Sequence, residues 1–101
     1  RPGEYDAFAQ SLTDKGVKEY GAYWCPNCQR QKKDFGNSFK KLTYIECALP
    51  GGQQAGQTVE CTDADVKGYP TWVFPDGNRL QGYQSLSVLA EKSGCPLVPA
   101  S

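Results

Sequence analysis

Two cysteines three positions apart, Cys25 and Cys28, stand in the segment Tyr23-Trp24-Cys25-Pro26-Asn27-Cys28. Across a helix N-terminus such a pair can close a disulfide, and Pro26 suits the first turn, where its missing N–H costs nothing. The first cysteine falls near the N-cap, where unpaired N–H groups and the helix dipole favour a thiolate. Cys25 is therefore read as the attacking and leaving sulfur. Cys28, one turn in and tucked beneath, is the resolving thiol. Trp24 would shield the pair and offer an apolar platform to a substrate chain. Two other chemistries use this spacing. Zinc takes C-x-x-C as half of a ligand set but needs a second close pair. The chain has no His, and thirteen residues lie between Cys47 and Cys61. A purely structural bridge is weaker still, because so small a ring constrains little of the unfolded chain.

Composition narrows the rest. Five cysteines in 101 residues point to an oxidising compartment, or to a redox or metal role. The odd count leaves at least one thiol free or paired outside the chain. The absence of His excludes His-based triads, His-ligated zinc and His general bases. Lys+Arg 11 against Asp+Glu 11 gives no net charge, which argues against a nucleic-acid partner. No apolar run approaches the roughly 18 residues of a membrane span. The length suits one domain over 1–101, since a second core would need roughly 50 residues of its own. There is no Met, even at position 1, so the chain is expected to begin at a processing boundary, with any signal or membrane segment upstream of it.

The pair needs elements to hold it. Glu4 to Lys15 carries Tyr5, Phe8 and Leu12 on one face and stops at Gly16, which predicts a short amphipathic helix. Val17 to Trp24 reads as a strand buried on both sides by Val17, Tyr20, Ala22 and Tyr23. A helix is expected from 26 to about 41, kinked at Gly36, with Phe35, Phe39 and Leu42 on one face. Thr43 to Cys47 reads as a second strand and 48–60 as a loop. Thr62 with Asp65 resembles a capping box for one helical turn over 63–67. Thr71 to Phe74 and Arg79 to Tyr83 form a hairpin around Pro75-Asp76-Gly77-Asn78. Ser85 caps a last helix carrying Leu86, Leu89 and Ala90 and ending at Gly94. The order α-β-α-β-(α)-β-β-α predicts an α/β fold with a mixed sheet covered on both faces.

These features resemble the thioredoxin superfamily over nearly the whole chain. The resemblance rests on Trp24-Cys25-Pro26-Asn27-Cys28 after a strand, Tyr69-Pro70-Thr71 before the next, the terminal hairpin and the last helix. The forty-one residues between Cys28 and Pro70 suit that layout. Gly21 to Gln29, Tyr44-Ile45-Glu46-Cys47, Gly68 to Trp72 and Leu89 to Gly94 are most similar to the thioredoxin-like domain fused to vitamin K epoxide reductase (VKOR) homologues in bacteria and plastids. The resemblance implies a central four-stranded mixed sheet. It also implies a cis Tyr69–Pro70 step facing the cysteine pair, which would turn the Tyr69 backbone toward a bound peptide like an added strand. Substrate contacts are expected from Trp24, Pro26, Asn27, Tyr69 and Pro70. Glu19 stands six residues before Cys25, where many relatives place a buried acid that could accept the proton of Cys28. Lys18-Glu19 could equally be an exposed pair at a strand end. The resemblance places a structural disulfide at Cys47–Cys61, which would staple the loop and contribute roughly 3 kcal/mol. A second redox pair is the alternative there. Cys95, past the last helix, is read as a spare thiol. Arg30, Lys32 and Lys33 form a solvated face or steer an acidic partner.

The function expected is thiol–disulfide exchange on cysteine pairs of exported proteins, by a monomer needing no cofactor and no metal. A VKOR-like, quinone-linked membrane domain, fused or separate, would reoxidise it in the periplasm or thylakoid lumen. The neutral Pro26-Asn27 dipeptide suggests a potential between those of thioredoxin and DsbA, about −270 and about −120 mV. A dedicated reductase for one client and a non-catalytic binding module are the rival readings.

Overall fold

The chemistry that delimits the last helix also works in space. Ser85 is its N-cap, accepting the Val88 N–H, and Gly94 ends it in the left-handed region at φ 77°, where a glycine carries no Cβ penalty. The computed structural model describes residues 3–98. In chain order its elements are α1 (Asp6–Asp14), β1 (Lys18–Gly21), α2 (Pro26–Phe35), β2 (Thr43–Glu46), α3 (Val59–Asp63), β3 (Thr71–Val73), β4 (Arg79–Gln81) and α4 (Leu86–Ser93), with 3₁₀ turns at Gly36–Lys41 and Gln53–Ala55.

One four-stranded sheet runs β2-β1-β3-β4. β1 pairs parallel with β2, and β3 pairs antiparallel with both β1 and β4. Glu19 stands opposite Tyr44 on one side and Trp72 on the other. Side chains alternate along a strand, so Val17, Glu19, Trp72 and Phe74 share a face. There the larger core forms, with Phe8 and Leu12 of α1, Phe35 of α2 and Leu89 of α4. Tyr20 opens the other face, where it packs with Cys47, Val66 and Cys61 of α3. The arrangement is the mixed α/β, thioredoxin-like one expected, with helices on both faces.

Several boundaries differ from the sequence reading. β1 is four residues long rather than running from Val17 to Trp24, because Tyr23 and Trp24 already belong to the turn into α2. Tyr23 is 52% exposed, not buried; its hydroxyl accepts the Gly52 N–H at 3.0 Å. The helix expected over 26–41 ends at Phe35, since Gly36 takes a positive φ of 56°, and a 3₁₀ turn carries on from it. The loop 48–60 has internal order: Ala48 bridges Gln57, and a 3₁₀ turn spans Gln53–Ala55.

The Thr62–Asp65 capping box is overturned. The helix starts earlier, at Val59, and its cap is Thr58, whose side chain accepts the Cys61 N–H. Asp65 adopts φ 57° and lies beyond the helix end. A Thr four residues upstream offers the same capping chemistry, and packing of Cys61 selected it. Cys95 is the unpaired thiol expected past the last helix, but it does not dangle in a tail: it is 2% exposed and belongs to the larger core.

Candidate active site

α2 begins at Pro26, and Cys25 is its N-cap in an extended conformation. The chain turns sharply to reach that point, through a Cys25 N–H to Ala22 carbonyl bond of 3.0 Å. Cys25 is half-buried and Cys28 is buried, and both are free thiols. The first sulfur is thus offered to solvent while the second lies beneath it. Ala22 N–H donates to Cys28 Sγ at 3.4 Å. Burial nevertheless pushes the Cys28 thiol up to about 12, and the neighbouring Cys25 and Glu19 add to the rise. Cys28 therefore holds its proton until something removes it.

The Tyr69–Pro70 bond is cis, and Pro70 is buried. The Tyr69 carbonyl accepts from Cys25 Sγ at 3.7 Å. Trp24 meets the Tyr69 ring edge-on, with centroids 5.6 Å apart. Together they border a cleft of about 410 Å³ that also touches Gln57, Val66 and Lys67. Pro26 and Asn27 are exposed at the helix tip. All the residues expected to contact substrate thus gather around Cys25.

Glu19 is fully buried, at 0% exposure, so the exposed-pair reading of Lys18-Glu19 is wrong for the glutamate. Both of its carboxyl oxygens are buried without a hydrogen-bond partner among the described residues. Burial raises its pKa from 4.5 to about 8, as desolvation penalises the charged form. It acts electrostatically on Cys28. Lys18, one residue earlier, points to solvent, as strand alternation requires.

Cys47 and Cys61 are joined by a disulfide. Their sulfurs are consumed by each other, so they cannot complete a zinc site with Cys25 and Cys28. A backbone bond from Thr58 N–H to the Cys47 carbonyl, 2.8 Å, closes the same loop. Of the basic residues after the pair, Arg30 lies 3.9 Å over the Tyr83 ring and Lys32 lies 5.2 Å from Phe39. They face solvent while packing on aromatics.

Three contributors were missed by sequence reasoning. Gln31 looks like a polar helix-surface residue but is fully buried. Its Oε1 accepts the Trp72 Nε1–H and the Gln84 N–H, and its Nε2 donates to the Gln84 carbonyl. It locks α2 to β3 and to the segment before α4. Tyr44 and Glu46 on β2 form the wall beside Cys28, lining with it a cavity of about 150 Å³. Glu46 accepts from Tyr44 Oη, from Tyr23 N–H and from Ala48 N–H, each at 3.0 Å. Their i, i+2 spacing was a signal for a shared strand face, though not for which face.

No family model matches the chain. The chain is 41% identical over 98 residues to the thiol-disulfide oxidoreductase LTO1 of Arabidopsis thaliana, a match covering 94% of this chain and 26% of the relative. It is 28% identical over 98 residues to a thioredoxin domain-containing protein 5 homolog of Drosophila melanogaster, covering 85% of this chain and 22% of that protein. The chain thus spans about a quarter of the curated relatives it matches. Fold, cysteine pair and relatives together support an oxidoreductase of the thioredoxin superfamily.

Proposed function

We propose that this domain forms disulfides in exported proteins by exchange through Cys25 and Cys28. The observation that carries the proposal is the half-buried Cys25 at a helix N-cap, its sulfur 3.7 Å from the Tyr69 carbonyl beside an open cleft bordered by Trp24 and Tyr69, with Cys28 buried beneath. A substrate thiolate attacks Cys25 Sγ of the oxidised pair, forming a mixed disulfide and releasing Cys28, which takes up a proton. The second substrate thiolate then attacks the substrate sulfur of that bond. A substrate disulfide forms, Cys25 leaves as a thiolate, and the pair has gained two electrons.

Trp24, Pro26, Asn27, Tyr69 and Pro70 border the point of attack and serve as the substrate-binding surface, with Glu19 as a proton acceptor for Cys28. Cys47–Cys61 is structural, since Cys47 and Cys61 are fully buried in the smaller core. The direction of flow rests on the neutral Pro26-Asn27 dipeptide, for which a potential between about −270 and about −120 mV is expected. A VKOR-type, quinone-linked membrane partner would accept the electrons in the periplasm or thylakoid lumen. The Arabidopsis relative leaves room for such a partner, since the matched region is 26% of its length.

Two measurements test this. Cys28→Ser should accumulate mixed disulfides with many exported proteins. Titration against glutathione should place the potential above that of thioredoxin. A lower potential with a single trapped client would replace the oxidant role with that of a dedicated reductase.

A further inference from the structure

We propose that Tyr44 and Glu46 form a proton route between the buried Cys28 sulfur and solvent, with Tyr44 positioned to pass the proton and Glu46 to hand it to water. The inference deepens the exchange reading above and rests on it. Whichever way electrons flow, the Cys28 sulfur must lose a proton to attack a mixed disulfide at Cys25, or gain one after leaving. A buried thiol with its pKa raised to about 12 does neither without a partner.

Gly21 shows that Tyr44 is close. A Cβ added there would lie 2.9 Å from Tyr44 Oη and 3.1 Å from Cys28 Sγ. The missing side chain is what lets hydroxyl and sulfur converge on one point above β1. The Tyr44 hydroxyl donates to Glu46 Oε1 at 3.0 Å, and Glu46 is exposed. The 150 Å³ cavity shared by Cys28, Tyr44 and Glu46 has room for water. Donor, relay and exit therefore line one path.

Glu19 approaches Cys28 from β1, on the sheet face it shares with Tyr44. Its oxygens lack hydrogen-bond partners among the described residues, and burial keeps it protonated below about pH 8. It can accept the Cys28 proton only once ionised, so the two routes have different pH windows. The other ionisable groups around Cys28 are Cys25 and Lys32 on α2 and Tyr69 before β3. Tyr44 itself keeps its proton, because burial and then the Glu46 bond push its pKa upward. It must therefore receive a proton as it gives one.

The test uses the reduced protein and an aromatic disulfide reagent, followed by stopped flow. Attack by Cys25 releases one aromatic thiolate and leaves a mixed disulfide. Loss of the Cys28 proton and attack on Cys25 Sγ then close the Cys25–Cys28 bond and release the second. Tyr44→Phe should slow the second release on the order of tenfold below pH 8, less than a group taking the proton directly is worth. The deficit should shrink above pH 8 while the first release is unchanged. Glu46→Gln should give the same profile, and Glu19→Gln the reverse one, with its deficit growing above pH 8. A deficit in Tyr44→Phe that is absent, or equal at every pH, overturns the route. A second release missing from the unsubstituted protein overturns the exchange reading itself.

Discussion

The molecule holds two cysteine pairs, and their surroundings send them in opposite directions. Cys47 and Cys61 lie fully buried against Tyr20 and Val66, with a backbone bond closing the same loop. No attacking thiolate reaches them. Cys25 stands at a helix mouth beside an open cleft, and Cys28 feels the Glu19 carboxyl group, whose oxygens lack hydrogen-bond partners among the described residues. Access and proton supply, rather than the sulfurs, separate a staple from a reagent.

The contrast fails first if Cys25 is dispensable. Cys25→Ser should reduce insulin-reduction or peptide-oxidation activity to the uncatalysed rate. Activity persisting there would transfer the chemistry to Cys47–Cys61 and reverse the assignment. Removing the staple instead, with Cys47→Ser and Cys61→Ser together, should cost about 3 kcal/mol in urea unfolding. Exchange with a small peptide should survive wherever the protein remains folded.

Glu19 carries a cost that Glu19→Gln should reveal. Its folded pKa, about 8, lies above the ordinary 4.5. The folded state therefore binds more protons between these values, and stability falls as pH rises through that window. Stability is highest below pH 4.5 for this group and has lost its full amount above pH 8. Glu19→Gln should flatten the decline and gain on the order of 2 kcal/mol at pH 8, after the cost of a buried unpaired amide. Thermal melts across pH check it, and an unchanged slope would mean that Glu19 is solvated.

Two smaller changes probe one pair each. Gly21→Ala forces a methyl 2.8 Å from the Tyr44 ring and 3.1 Å from Cys28 Sγ. It should cost about 1.5 kcal/mol by overpacking and slow closure of the Cys25–Cys28 bond. Thr58→Ala removes the cap of α3 and should cost about 1 kcal/mol without touching exchange kinetics. Equal kinetic effects of the two would erase the distinction between the regions.

Much of this was legible in the chain. The Cys-Pro-Asn-Cys segment, the Ser85 and Gly94 boundaries and the succession of helices and strands along the chain follow from local chemistry and from spacing. Other features resisted. Thr58 and Thr62 are equally good caps in isolation, and only the packing of Cys61 chose between them. Glu19 stayed open between a buried acid and an exposed pair, and Gln31 was not singled out, because burial of a polar side chain depends on what packs over it. Cys95 is free as read, but its burial was not legible because the core residues around it, in α1, β3 and α4, are distant in sequence.

Which sulfurs could react, and that a helix would present them, lay in residue types and their short-range spacing, because caps, turns and proline act over a few bonds. The weak acidity of the buried Cys28, the route its proton takes and the cleft beside Cys25 came from folding. Dielectric and proximity are properties of neighbours brought together from Gly21, Tyr44 and Tyr69, and one-dimensional order does not contain them.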